Sequence, residues 1–137
     1  MNRYVLDACS LIAFLEDEVG ADIVQSILKD AKLKTLELYM NKLNLFEVYY
    51  GILREDGFKR ADGIYNMILH LPITINSDIS DEVFREAGRL KASYKISLAD
   101  SIALAQSVVL NASLVTSDHH EFDIIEEKEN ISFTWIR

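Results

Sequence analysis

"YVLDACSLIAFL", residues 4–15, sets one carboxylate, Asp7, inside an otherwise apolar run near the amino terminus. A strand buried on both faces reads as continuous hydrophobic sequence, and a charge within it is costly unless it falls at the strand's end. The run therefore predicts a buried strand, "RYVL" (3–6), that stops at Asp7. Four more strand-like runs follow: "LELYM" (36–40), "ITI" (73–75), "SLVT" (113–116) and "SFTWI" (132–136). Helices fill the gaps. Val19, Ile23, Val24, Ile27, Leu28 and Ala31 keep the three-and-four spacing of one helical face, as do Val83, Phe84, Ala87, Leu90 and Tyr94. Further helices are expected at 43–55, 58–70 and 98–111. Strands alternating with helices predict an α/β domain with a mostly parallel sheet.

The chain has 137 residues, half of them hydrophobic, enough for one domain over 1–137 with a single core and short for two. Its only proline is Pro72, and no linker, repeat or low-complexity segment interrupts it. The lone cysteine, Cys9, cannot form an intramolecular disulfide and is too few for a thiolate zinc site, which suits a reducing cytosol. Asp7 breaks the only candidate for a signal peptide, so the expected location is cytoplasmic. "SIALAQSVVLNASLVTS" (101–117) is diluted by Ser, Gln and Asn and reads as a helix followed by a strand rather than a membrane span. Twenty-two acids against fourteen Lys and Arg give a formal charge of −8, which opposes non-specific binding to phosphate. A nucleic-acid role needs bound cations, a local basic patch or a dimer groove that gathers positive charge.

Helix-start chemistry refines the map. "SLAD" (97–100) has the form of a capping box, and "NLFE" (44–47) and "DHHE" (118–121) share it. Asp7 and Asp118 thus follow strands, while Glu47 and Asp100 are expected in the first turns of helices. Taken singly, each acid is explained by helix capping or by the helix dipole. Taken together they mean more, because all strand carboxyl ends of a parallel sheet lie on one edge, where ligands bind. Clustered carboxylates either raise their pKa values or hold a cation. Oxygen-only ligands favour Mg²⁺ or Mn²⁺ over zinc, and such an ion can activate water and neutralise charge in phosphodiester hydrolysis.

These residues resemble the PIN-domain ribonucleases, most closely their VapC-type toxins of type II toxin-antitoxin systems. "VLDACSLIAFL" looks like the family's first motif, "LNLFEVYYGIL" (43–53) like the second, "ISLADSIALA" (96–105) like the third and "LVTSDHHEFD" (114–123) like the fourth. The resemblance covers almost the whole chain, in order. It implies a three-layer α/β/α domain with about five strands ordered 3-2-1-4-5, and Asp7, Glu47, Asp100 and Asp118 as catalytic, metal-binding acids. It also implies RNA as substrate, a homodimer and a cognate antitoxin. Two positions depart from the pattern: Cys9 stands where many relatives carry Ser or Thr, and Ser117 where Arg is frequent.

The expected activity is Mg²⁺- or Mn²⁺-dependent hydrolysis of RNA, with Glu47 either ligating the ion or orienting the attacking water. Secondary candidates are Thr116, as a hydroxyl beside an acid, Asp123, as a peripheral fifth acid, and Lys91, as a phosphate contact on the helix leading to Asp100. His119 and His120 read as an exposed polar turn, Cys9 as a small buried filler, and Tyr49 and Tyr50 as core or dimer packing. The rival reading is a non-catalytic module whose acidic pocket receives a basic partner peptide. A phosphoacceptor receiver fits poorly, since no paired acids follow strand one and no lysine ends strand five.

Overall fold

The computed structural model describes residues 1–137. Five strands, β1 (Asn2–Leu6), β2 (Leu36–Asn41), β3 (Thr74–Asn76), β4 (Ser113–Thr116) and β5 (Phe133–Trp135), form one sheet. Its order is β3-β2-β1-β4-β5, and every pairing is parallel. Seven helices connect them: α1 (Ala8–Leu15), α2 (Ala21–Lys32), α3 (Lys42–Asp56), α4 (Phe58–Ile68), α5 (Asp81–Ser93), α6 (Leu98–Val109) and α7 (His119–Lys128). No helix is long and apolar enough to cross a membrane.

Because side chains alternate along a strand, neighbouring residues feed opposite cores. Leu6 and Val115 pack with α1–α4 on one face, while Val5 and Leu114 pack with α5–α7 on the other. All four are fully buried. The three-layer α/β/α arrangement follows from this alternation, and so does the continuous apolar reading of "RYVL". The chain turns from strand to helix with almost no loop: β1 ends at Leu6, Asp7 caps the next helix, and α1 begins at Ala8. The acid therefore stands at the carboxyl edge of the sheet by construction.

Several local expectations are corrected. Val19 lies outside α2 and is 75% exposed, and Ile23 is also exposed, so the buried face is Val24, Ile27, Leu28 and Ala31. Val19 is left out because the chain turns at Gly20, the N-cap of α2, whose φ is +100°. Phe84 is 70% exposed, because the buried stripe of α5 is Val83, Ala87 and Leu90 and Phe84 is turned about 100° from it. "NLFE" is not the start of α3. Asn41, the last residue of β2, caps the helix by accepting from the Leu43 amide at 2.9 Å, which moves Glu47 from the first turn into the second. "HHEFD" is helical rather than a turn: Asp118 caps α7, as the capping-box pattern of "DHHE" predicts.

Gly20 also permits a close approach, since a Cβ there would lie 2.7 Å from the Ile136 carbonyl oxygen. Gly20→Ala is therefore expected to destabilise the fold by about 2–4 kcal/mol, from backbone strain plus overpacking. Urea unfolding of the two proteins measures it, and an unchanged midpoint would rule out the close approach.

Candidate metal centre

The carboxyl edge of β1 and β4 gathers the acids. Asp7 is 1% exposed. Its amide donates to the Val115 carbonyl at 3.3 Å, and its Oδ1 accepts from the Ser10 amide at 2.8 Å. Its other oxygen, Oδ2, is buried without a hydrogen-bond partner. Burial pushes the Asp7 carboxyl up to about 6, against the pull of the Thr116 hydroxyl and of the Ser10 amide and hydroxyl, and the Asp118 charge adds a little to the rise. An ionised carboxylate with one satisfied oxygen is an expensive group to bury.

Across from it, one carboxylate oxygen from each of Asp100, Asp118 and Glu121 lies within 4.8 Å of the others. Helix starts build this cluster. Ser97 caps α6 by accepting from the Asp100 amide at 3.1 Å, and Asp118 caps α7 by accepting from the Glu121 amide at 3.1 Å. In a self-contained capping box, the acid three residues on would reach back to the amide of its own cap. Here the Ser97 amide donates to Glu121 at 3.3 Å instead, and the Asp118 amide donates to Thr116 Oγ1 at 3.0 Å. The two helix starts are thereby tied to each other, and the Asp100 carboxylate is left to face the cluster. Burial, then the charges of Asp7, Asp118, Glu121 and Glu47, push Asp100 up to about 7. The Glu47 carboxyl is itself raised by burial. Asn44, fully buried one turn earlier on α3, donates to the Ala99 carbonyl at 3.0 Å and holds α3 against the start of α6.

Of the expected acids, the structure sets Asp100 and Asp118 in one cluster with Glu121, which the sequence marks only as a capping residue; Asp7 and Glu47 fall outside that cluster, and their charges bear on Asp100. The signal was present: residues three apart on a helix share a face, so a cap at 118 implies a companion at 121. Asp123, the expected peripheral acid, is engaged outside the cluster. It lies 2.7 Å from His119 Nδ1, and the His119 ring stacks on Trp135 with centroids 3.8 Å apart. Thr116 is fully buried between Asp7 and the Asp118 amide. Lys91 donates to the Ile96 carbonyl at 2.8 Å, which orders the segment entering α6. Cys9 is half-buried, and its sulfur lies 3.1 Å from the Ser117 hydroxyl, so the two departures from the family pattern touch each other.

The donor set fits a hard divalent cation. It is all oxygen, it gathers three partly buried carboxylates, and buried Asp7 Oδ2, at the same edge of the sheet, lacks a hydrogen-bond partner. A cavity of about 770 Å³ lies at the opposite, amino-terminal edge of the sheet, and none of these acids lines it.

Comparison with solved structures agrees with the fold. The chain superposes on DNA-bound VapBC from Salmonella typhimurium with a TM-score of 0.77 and 14% identity, covering 100% of both chains. VapBC2 from Rickettsia felis, bound to a DNA fragment from its promoter, gives 0.72 and 17%, covering 96% of this chain and 97% of that one. A toxin-antitoxin complex from Klebsiella pneumoniae gives 0.69 and 18%, with 98% of each chain covered. No curated protein matches the chain. The profile of the PIN domain matches residues 4–128. With its sheet order, its motifs and that match in agreement, the chain belongs to the PIN domain family.

Proposed function

We propose that this protein is a metal-dependent endoribonuclease, hydrolysing RNA phosphodiester bonds as the VapC-type toxin of a toxin-antitoxin pair. The observation that carries the reading is Asp7, buried to 1% exposure with one carboxylate oxygen left without a hydrogen-bond partner, at the sheet edge where Asp118 also stands. Structural acids are hydrogen-bonded on both oxygens or exposed; this one is neither.

Asp7, Asp100 and Asp118 would hold Mg²⁺ or Mn²⁺, with Glu121 beside them. Bound there, the ion supplies charge for the attacking and leaving oxygens of the phosphodiester and lowers the pKa of water. The chain's own residues do the rest. Glu47 approaches from α3, a different helix from those carrying the other acids, and its burial-raised carboxyl suits it to orient the attacking water and accept its proton. Ser10 holds Asp7 in place, Thr116 accepts from the Asp118 amide, and the Ser97–Glu121 bond fixes α6 against α7.

The same acids explain how such a toxin is restrained. A partner segment offering Arg pairs bidentately with a carboxylate and competes with the cation. The toxin-antitoxin complex from Klebsiella pneumoniae, which shares this fold, supports an antitoxin as that partner. We place the working protein in a homodimer.

The test is incubation of the purified chain with a mixed panel of structured and single-stranded RNAs, under Mg²⁺, Mn²⁺ or chelator. Cleavage in both ions that stops with chelator is the expected result. A folded, partner-free chain that binds an Arg-rich peptide and cuts no RNA would favour the non-catalytic acidic module.

A further inference from the structure

One helix of the centre carries more than its acid. Positions 42, 46, 50 and 54 of α3 follow at four-residue spacing, so their side chains form one slanted ridge with about 6 Å of rise between neighbours. They are Lys42, Phe46, Tyr50 and Arg54. Phe46 is 55% exposed and Tyr50 is 39% exposed, although Leu45, Val48 and Ile52 already supply the buried face of the helix. The two rings stand 5.3 Å apart at a 48° tilt. The Arg54 guanidinium sits 5.6 Å from the Tyr50 centroid. The two adjacent tyrosines therefore have different surroundings: Tyr49 packs on Tyr65 and donates to Asp62, whereas Tyr50 faces outward. Beside the ridge, a cavity of about 240 Å³ opens between α3 and α4. Glu47, the next residue after Phe46, is the α3 acid of the proposed site.

We propose that this ridge is a track for single-stranded RNA, in which bases stack on Phe46 and Tyr50 while Lys42 and Arg54 hold the flanking phosphates. It rests on the nuclease reading above and names how the substrate reaches that site. The chemistry of the ridge selects the occupant. Aromatic faces accept any base, and cations between and beyond them match a phosphate backbone. A second copy laid on the same ridge about a twofold axis would oppose cation to cation. An apolar protein surface would bury two charges without partners. The ridge also supplies local positive charge that a chain of net charge −8 needs to hold RNA.

The experiment uses the full chain and a fluorescein-labelled single-stranded RNA of about 12 nucleotides, with binding read in chelator and cleavage read in Mg²⁺. Phe46→Ala and Tyr50→Ala are each expected to weaken binding about tenfold, and the pair roughly a hundredfold. The loss should appear in KM with kcat within about twofold, and Tyr50→Phe should restore binding. Arg54→Gln should lower the slope of log K against log salt by about one. An RNA with abasic sites opposite the rings should bind equally to all the ring variants. Ring variants that bind and cleave as the parent does would overturn the track alone. So would a shift from dimer to monomer in sedimentation, which would make the ridge a protein interface. A parent that neither binds nor cuts any RNA would overturn the nuclease reading, and the track with it.

Discussion

Asp7→Asn is expected to lower RNA cleavage by about a thousandfold or more while making the metal-free protein more stable at pH 8. The two effects have one cause. The Asn side chain keeps the shape of Asp and an oxygen for the Ser10 amide, so the cap on α1 survives. What disappears is the buried charge that a cation needs and that the empty fold must otherwise tolerate. The Asp7 carboxyl is raised to about 6, roughly two pKa units above the ordinary Asp value. The folded state therefore holds this proton more tightly than the unfolded state does. The associated stability is fully present below about pH 4 and is lost as the pH rises through 6. At pH 8 that loss amounts to about 2–3 kcal/mol, which the neutral Asn recovers. Urea unfolding in chelator at pH 8 and pH 4 measures it: the variant should lead at pH 8, and the gap should close at pH 4. An Asp7→Asn protein less stable at both pH values would mean that the carboxylate is structural.

The second large effect is the response to divalent ions as a function of pH. Asp7 and Asp100, raised to about 6 and about 7, are substantially protonated in the metal-free protein near pH 5 and ionised at pH 8. Protons and cations compete for the same oxygens, so Mg²⁺ should raise the melting temperature strongly at pH 8 and little at pH 5. Without the ion, both acids make the fold less stable as the pH climbs through 6 and 7, the opposite of the usual carboxylate behaviour. Thermal melts with Mg²⁺ and with chelator at the two pH values give the comparison. Equal stabilisation at pH 5 and pH 8 would place ion binding elsewhere.

How much of this was legible in the sequence depends on whether the decisive contact is local. The strand positions, the sheet order carried by the family resemblance, and the four acids Asp7, Glu47, Asp100 and Asp118 rest on patterns of a few residues. The misses have non-local causes. Val19 and Ile23 are apolar and correctly spaced for a helix. Val19 is left outside the helix because α2 starts after Gly20, which packs against Ile136 more than a hundred residues away in the chain, and Ile23 lies beside the buried stripe of Val24, Ile27, Leu28 and Ala31. Asn44 resembles a cap because "NLFE" has the right form, but β2 runs straight into α3 and Asn41 is already the cap. Asn44 instead reaches Ala99 on another helix. The capping-box form of "DHHE" assigns Glu121 to its own helix, yet its oxygen takes the Ser97 amide from the start of α6. In each case the local rule named the right chemistry and the tertiary partner decided who performs it.

Titration of the metal-free chain with Mn²⁺ at pH 8, beside Asp7→Asn and Asp118→Asn, tests the central claim most directly. The account predicts saturable binding to the parent chain that falls by about tenfold or more in each variant, because each loses a charged ligand. Binding that is equally tight in all three proteins, or absent from the parent, would contradict it.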